Sequence, residues 1–403
     1  MVTAGALLYA ASAQPARQVV PIMPRRSVST NQGIAALHMG MLRGHSVQIH
    51  GDGFLAWQQL VADFDGAQHS IEIELYMLGN DAIGDAFLGA LERARSRNVA
   101  VHLLLDGVGS LNFPAHFAAR LRQSGVHWKI FRPIRRNVPW RRWLKRNHRK
   151  VFIIDGEIAW VSGFNVAAHY YATNETAALW ADIGTRVTGP LVADLRRQLH
   201  HGGRKREVGQ KDPPSEIQGG ALAMACLNRG ALRTALVHRR YLEAIEAAKT
   251  TILLGHSYFL PQRRLQNALV AASKRGVQVE ILIPDIPVGD VAAVAYASFH
   301  GVQPLLRHGI RVFAVTTRML HAKCAVVDGL WWTIGSTNLD PLSRQRNLEA
   351  NIVGLGEEQA LQVTKWIEQR KEEARELTHA DWKNRPLWQR FFAWLAWHAR
   401  SLV

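Results

Sequence analysis

Cysteine is nearly absent from this 403-residue sequence: there are two, Cys226 and Cys324, and Cys324 lies in an apolar, strand-like run. That excludes a disulfide framework and a Cys-rich zinc site, and a reducing compartment suits the chain. Long apolar runs are lacking too. No stretch reaches the roughly 18 uninterrupted apolar residues of a spanning helix, so any membrane contact is expected to be peripheral. Residues 1–15 hold a short apolar part and an Ala-Ser-Ala tripeptide but no positive n-region of a secretory signal, so residues 1–30 are expected to form a flexible tail.

Acidic residues are outnumbered. Against 49 Lys and Arg there are 32 Asp and Glu, a formal net charge of +17. Such a balance favours a polyanion, either nucleic acid or an anionic membrane surface, and does not choose between them. With 48% hydrophobic and 20% charged residues, the chain suits one large or two medium packed domains rather than disorder.

What is present is a repeat. Residues 71–77 alternate as a strand does, 82–95 have helical spacing and 99–105 form a β-rich run, and 251–259, 265–275 and 277–283 follow the same order. Each half continues with a helix ending in a glycine turn (121–125 and 305–309), a short strand (126–131 and 310–315), then a strand that carries a histidine. Strands alternating with helices imply an α/β fold of two similar α/β/α halves, at 31–199 and 221–375. Residues 200–220 read as a linker or surface loop, and 376–403 as a C-terminal amphipathic helical segment.

The chemistry lies in a pattern that occurs twice, HxKxxxxD: His148, Lys150 and Asp155, then His321, Lys323 and Asp328. Seventeen residues after each His stands an Asn, Asn165 in Ser-Gly-Phe-Asn and Asn338 in Gly-Ser-Thr-Asn, the latter containing Ser336. Residues two apart on a strand face the same way, so each His points with its Lys and one phosphate can meet both. Two matches at equivalent points of a repeat set aside the reading of two unrelated buried histidines. Breaking a phosphodiester requires a nucleophile, an acid for the leaving alcohol and positive charge on the phosphoryl oxygens. Paired His supplies the first two, since imidazole titrates near neutrality. Lys150, Lys323, Asn165, Asn338 and Ser336 would hold the phosphate. A metal site is the competing use of the histidines, but a Lys beside each places positive charge next to the ion with no carboxylate cluster to compensate, so neither metal nor cofactor is expected. Asp155 and Asp328 either share in catalysis or support the turns at Asp155-Gly156 and Asp328-Gly329.

The paired motifs resemble those of the phospholipase D superfamily over roughly residues 47–367, which implies two halves packed with one shared active-site cleft between them. The resemblance implies that His148 is the nucleophile and His321 the general acid and base, an order that rests on the family pattern alone. It also implies an imidazole-orienting carboxylate downstream of each motif, matched by Asp182 in Trp-Ala-Asp and Glu349 in Asn-Leu-Glu. A carboxylate on the second ring nitrogen fixes the tautomer and stabilises the imidazolium.

Within the superfamily, residues 335–343 (Gly-Ser-Thr-Asn-Leu-Asp-Pro-Leu-Ser), with Asn347 and Glu349, are similar to the bacterial cardiolipin synthase group, as are 257–261 and 274–277. The match departs at Leu342, where that group usually has Arg. The missing N-terminal spanning helices resemble its shorter, peripheral type, at the cytoplasmic side of the inner membrane. The implied reaction moves a phosphatidyl group from one phosphatidylglycerol, with loss of glycerol, onto a histidine and then onto a second phosphatidylglycerol. Water in place of the acceptor gives phosphatidic acid.

Two stretches bear on the partner. Residues 132–150 carry Arg132, Arg135, Arg136, Arg141, Arg142, Lys145, Arg146, Arg149 and Lys150 with Trp140 and Trp143, a composition that suits anionic headgroups, stacking on nucleic-acid bases, or a solvated basic loop. From Pro386 onward, Leu387, Trp388, Phe391, Phe392, Trp394, Leu395 and Trp397 accompany Arg385, Arg390 and Arg400, as in a helix lying at a membrane interface or one docked on the protein's own core. The expected partner is an anionic phospholipid, phosphatidylglycerol, in preference to nucleic acid. A nuclease of the same superfamily and a non-catalytic membrane-binding protein are the alternatives.

Overall fold

Alternating runs separated by helical stretches fold into one large sheet in the computed structural model, which describes residues 32–38, 40–134, 143–171, 180–199, 220–229 and 235–400. The tail at 1–30, residues 200–219, and Arg135, Arg136, Trp140, Arg141 and Arg142 lie outside the described residues. The first half contributes β1 (Leu42–His50), β2 (Ser70–Leu75), β3 (Ala100–Asp106), β4 (His127–Phe131), β5 (Val151–Ile154), β6 (Ile158–Ser162), β7 (Trp180–Ala181) and β8 (Gly184–Thr188). The second contributes β9 (Ala221–Arg229), β10 (Thr251–His256), β11 (Gln278–Pro284), β12 (Arg311–Val315), β13 (Met319–Leu320), β14 (Lys323–Val327), β15 (Trp331–Gly335), β16 (Leu348–Leu355) and β17 (Ala374–Leu377).

The repeat is visible in the strand order. The first half runs β1-β8-β6-β5-β2-β3-β4 and the second β9-β16-β15-β14-β10-β11-β12, with β17 added at the outer edge. In each half three strands are parallel (β2, β3, β4 and β10, β11, β12), and the histidine-bearing segment leads into an antiparallel strand, β5 on β2 and β14 on β10. The halves join where β1 pairs with β9, with a break in register between Leu42 and His45 that holds Gly44 at φ 84°.

Helices α1 (Gln32–Ala35), α2 (Gly53–Gly66), α3 (Ala82–Ser96), α4 (Ala115–Gln123) and α5 (Leu191–Gln198) belong to the first half. The second has α6 (Leu236–Ala247), α7 (Arg263–Lys274), α8 (Ala292–Leu306), α9 (Pro341–Gln345), α10 (Glu357–Lys371), α11 (His379–Lys383) and α12 (Leu387–Ala399). One core lies under α2, α3 and α4 and includes Ile71, Ile73, Leu75 and Phe152. A second lies under α6, α7 and α8 with Ile252, Leu254 and Ile281. Between them the inner faces of both halves share a core, where Val151, Ile153 and Val161 join Val326, Trp332 and Ile352, with α5 and α10 closing it. Among the described residues no helix is long and apolar enough to cross a membrane.

Burying both faces of the sheet has a consequence that alternation alone does not reveal. The polar face of β2 carries Glu72 and Glu74, and both are buried. A buried carboxylate must find a cation or donors. Glu72 takes Arg196 of α5 at 2.6 Å, and Glu74 takes Asn147 at 3.0 Å and Arg149 at 3.1 Å. Arg149 is fully buried and also donates to the carbonyls of Asn228 (3.2 Å) and Glu349 (3.3 Å) in the other half. It is a strut between the halves, set between the motif residues His148 and Lys150. Arg149→Met is expected to cost about 3–5 kcal/mol, because it removes the buried cation that faces the buried Glu74 carboxylate. Urea denaturation checks it.

Asp155 and Asp328 require a correction. Each ends its strand at the edge away from the histidines, with φ 52°. Asp155 accepts the backbone N–H groups of Gln68, His69 and Ser70 at 2.7–2.8 Å, and Asp328 those of Lys249, Thr250 and Thr251 at 2.8–3.0 Å. They tie the entry of β2 and of β10 to the next turn, so they are not brought into the candidate site.

Candidate active site

Because β5 runs antiparallel to β2, and β14 to β10, the segments that precede β5 and β14 arrive at the edge where the parallel strands end. His148 and His321 both lie there. Each is stitched to the opposite half by the backbone. The His148 N–H donates to the Leu348 carbonyl at 2.9 Å, and the His321 N–H to the Ala181 carbonyl at 2.7 Å, where β13 pairs with β7.

This backbone exchange decides which carboxylate meets which ring. His148 Nδ1 lies 3.1 and 3.2 Å from the two oxygens of Glu349, 201 positions later in the chain. His321 Nδ1 lies 2.7 Å from Asp182 Oδ2, 139 positions earlier. Each half therefore holds the carboxylate that faces the other half's histidine. A carboxylate on Nδ1 keeps a proton there and turns Nε2 outward.

The two carboxylates are not equivalent. Ser336 follows His321 by the same number of residues as Gly163 follows His148. The Ser336 hydroxyl donates to Glu349 at 2.5 Å and accepts the Ala350 N–H at 3.0 Å. Expected to hold phosphate, Ser336 instead serves the carboxylate. At Gly163 a Cβ would stand 2.1 Å from Asp182 Oδ1, so only glycine admits that carboxylate, and it gains no hydroxyl. Burial raises Glu349, but His148, Lys150 and Ser336 together hold it below the usual carboxylate range. Burial pushes Asp182 up to about 7, with Lys323 and the Ile183 N–H pulling against it.

The remaining motif residues surround the rings. Lys150 Nζ donates to the His148 carbonyl at 2.9 Å and lies 5.2 Å from the Tyr76 ring centre. Lys323 Nζ donates to the His321 carbonyl and stands 3.0 and 3.1 Å from the ring nitrogens. Asn165 accepts from the Met77 N–H at 3.2 Å and donates to the Tyr170 hydroxyl at 2.8 Å, which is 3.5 Å from His321 Nε2. Asn338 accepts from the Ser257 hydroxyl at 2.9 Å. Burial lowers His148. Burial, Lys323 and Lys150 lower His321 further. Burial and Lys323 depress Lys150, and burial brings Lys323 down to about 8. Every one of these shifts opposes the positively charged form.

Several neighbours carried no sequence signal. Tyr76, Tyr170 and Trp180 wall the histidines, with the Trp180 ring 5.1 Å from His321 and Tyr76 5.0 Å from His148. The Tyr258 hydroxyl donates to Asp290 at 2.7 Å. Arg146 and Arg149, read as part of a basic surface, are buried instead, Arg146 lying 3.5 Å from Asp106.

A family model described as cardiolipin synthase, PLD-like domain, matches residues 60–197 and 241–371, one HxKxxxxD motif in each range. Cardiolipin synthase B of Salmonella typhi is 31% identical over 339 residues, covering 78% of this chain and 77% of that protein. Cardiolipin synthase 1 of Staphylococcus epidermidis is 30% identical over 366 residues, covering 88% and 74%. Among solved structures, phosphatidylserine synthase of Haemophilus influenzae superposes with a TM-score of 0.72 at 14% identity, over 93% of this chain and 100% of that one. That likeness is one of fold.

Proposed function

Because the chain belongs to the phospholipase D-like family of cardiolipin synthases, we propose that it joins two phosphatidylglycerols into cardiolipin through a phosphohistidine. The reciprocal pairing of His148 with Glu349 and of His321 with Asp182 carries this reading. Each pair leaves an Nε2 for chemistry, and both rings lie on one edge.

In the first step His148 Nε2 attacks phosphorus, the bond from phosphorus to the glycerol oxygen breaks, and His321 Nε2 gives that oxygen its proton. In the second, the terminal hydroxyl of another phosphatidylglycerol gives its proton to His321, its oxygen takes the phosphorus, and His148 is released. Glycerol and cardiolipin are the products, and no cofactor enters. Assigning attack to His148 is supported by exposure, since its side chain is 13% accessible against 6% for His321, whose Nε2 already faces Tyr170. Lys150, Lys323, Asn165 and Asn338 hold the non-bridging oxygens, and the anion they receive restores the proton that burial takes from His321. The enzyme works at the surface of the inner membrane, on its cytoplasmic side.

Purified protein given phosphatidylglycerol vesicles should yield cardiolipin and glycerol by mass spectrometry, and single-stranded DNA should remain intact. Phosphatidic acid alone would mark a hydrolase, and cleaved DNA a nuclease. EDTA is expected to change turnover by less than about twofold, because the lysines bring the charge that a metal would otherwise supply. Loss of activity that added metal restores would overturn this account.

A further inference from the structure

Twelve large apolar residues are exposed among the described ones, and six of them, Leu387, Trp388, Phe391, Phe392, Trp394 and Leu395, lie on the single helix α12. Leu387 is 77% exposed, and Trp388, Phe391 and Phe392 are 52–58% exposed. The opposite face of α12 is docked. Ala393 is fully buried, Trp397 lies against Gly301 of α8, where a Cβ would meet its ring at 2.4 Å, and the Arg385 guanidinium sits 4.2 Å from the Phe299 ring centre. The helix is therefore fixed to the protein by one side and offers a wall of aromatics on the other.

Beside this wall, α7, α8 and α12 enclose a cavity of about 280 Å³. Arg263, His300, His398 and Arg400 line it with Trp397, and no carboxylate does. The Arg400 guanidinium lies 4.0 Å over the Trp397 ring. His300 Nδ1 is buried without a partner, and Arg263 has no ion pair among the described residues. Burial lowers Arg400, and Arg263 adds to the effect; His300 is lowered by burial, His398 and Arg400. Two arginines beside two imidazoles, with no acid between them, form a site that an anion completes.

We propose that this pocket takes the phosphate of an anionic lipid headgroup while the outer face of α12 enters the bilayer boundary, anchoring the enzyme to anionic membrane. A lipid surface satisfies both halves of the feature at once, because aromatic side chains favour the boundary and arginines its phosphates. A small cluster of Leu260, Val294 and Ala297, with Tyr258, Ala396 and Trp397 packed on it, joins α12 to the loop whose Tyr258 meets Asp290 beside the candidate active site. The anchor rests on the lipid reading above and adds to it a site outside the catalytic cleft.

The full chain is tested by flotation on vesicles of phosphatidylglycerol with phosphatidylcholine, and of phosphatidylcholine alone. Arg263→Glu with Arg400→Gln should weaken binding to the anionic vesicles about tenfold or more, as expected for three units of charge at such a surface, and leave binding to the neutral ones unchanged. Trp388→Ser with Phe391→Ser and Phe392→Ser should weaken binding to both. Transfer from short-chain, monomeric phosphatidylglycerol should be unaltered in each variant. Unchanged flotation would overturn the proposal. So would a wild-type dimer in light scattering that the aromatic variant makes monomeric, or a fall in Tm with equal loss on both substrates. Inorganic phosphate that binds while vesicle affinity ignores the Arg263 and Arg400 substitutions would overturn it as well. If the wild type transfers nothing from any phosphatidylglycerol, the lipid reaction fails while flotation still decides the anchor.

Discussion

His148→Ala and His321→Ala are each expected to lower turnover by about 10⁵-fold or more, with far-UV circular dichroism and Tm close to those of the parent protein. The magnitude follows from division of labour. A phosphodiester carries a full negative charge that repels nucleophiles, and its alkoxide leaving group departs only with a proton, so removing either ring forfeits a whole step. Groups that act as a unit are not additive, and the double variant should be little worse than either single one. A substrate whose leaving group is an acidic phenol separates the roles. It needs no proton from His321, so His321→Ala should regain the first step and accumulate a phosphohistidine, whereas His148→Ala should regain nothing. Recovery in His148→Ala instead would exchange the assignments, and near-normal turnover in either variant on the natural lipid would remove the shared-site mechanism.

Glu349→Gln and Asp182→Asn should each cost about 10³–10⁴-fold in kcat, because an amide in place of the carboxylate permits the wrong imidazole tautomer. The crossed pairing makes the losses specific. Glu349→Gln places a donor before His148 Nδ1, drives the ring proton to Nε2 and blocks attack, so phosphohistidine should not form even from the phenol substrate. Asp182→Asn leaves His148 oriented but deprives the His321 imidazolium of its counter-charge, and the phenol substrate should rescue the first step. Rapid acid quench of radiolabelled substrate distinguishes the two. If each carboxylate served the histidine of its own half, the rescue pattern would be reversed.

Much of this site was legible in the sequence because it is written in short spacings. His148 with Lys150, His321 with Lys323, and the Asn seventeen positions after each His lie on strands and strand ends whose geometry is local. The α/β plan followed from periodicity for the same reason. The crossing of Asp182 to His321 and Glu349 to His148 was not legible, since either carboxylate suits either ring in one dimension and the choice is made by β7 pairing with β13. Asp155 and Asp328 share the motif's spacing yet hold turns, because a carboxylate at positive φ satisfies backbone donors as readily as it could serve catalysis. In the sequence Arg149 is one more member of a basic run. Its partners Glu74 and Asn228 are 75 and 79 positions away, and only the burial of both faces of β2 turns that cation inward. For the C-terminal helix, interface and core were opposed as readings, and α12 has a docked face and an exposed one.

The crossed carboxylates also bear on how the chain is made. A polypeptide emerging from the ribosome presents His148 long before Glu349 exists, and the β16 strand that positions Glu349 ends at Leu355. A nascent or truncated chain with both histidines but without that strand has no orienting group for His148 and no partner for its backbone. The site at His148 is thereby incomplete until β16, near the end of the sheet in chain order, has been synthesised and paired.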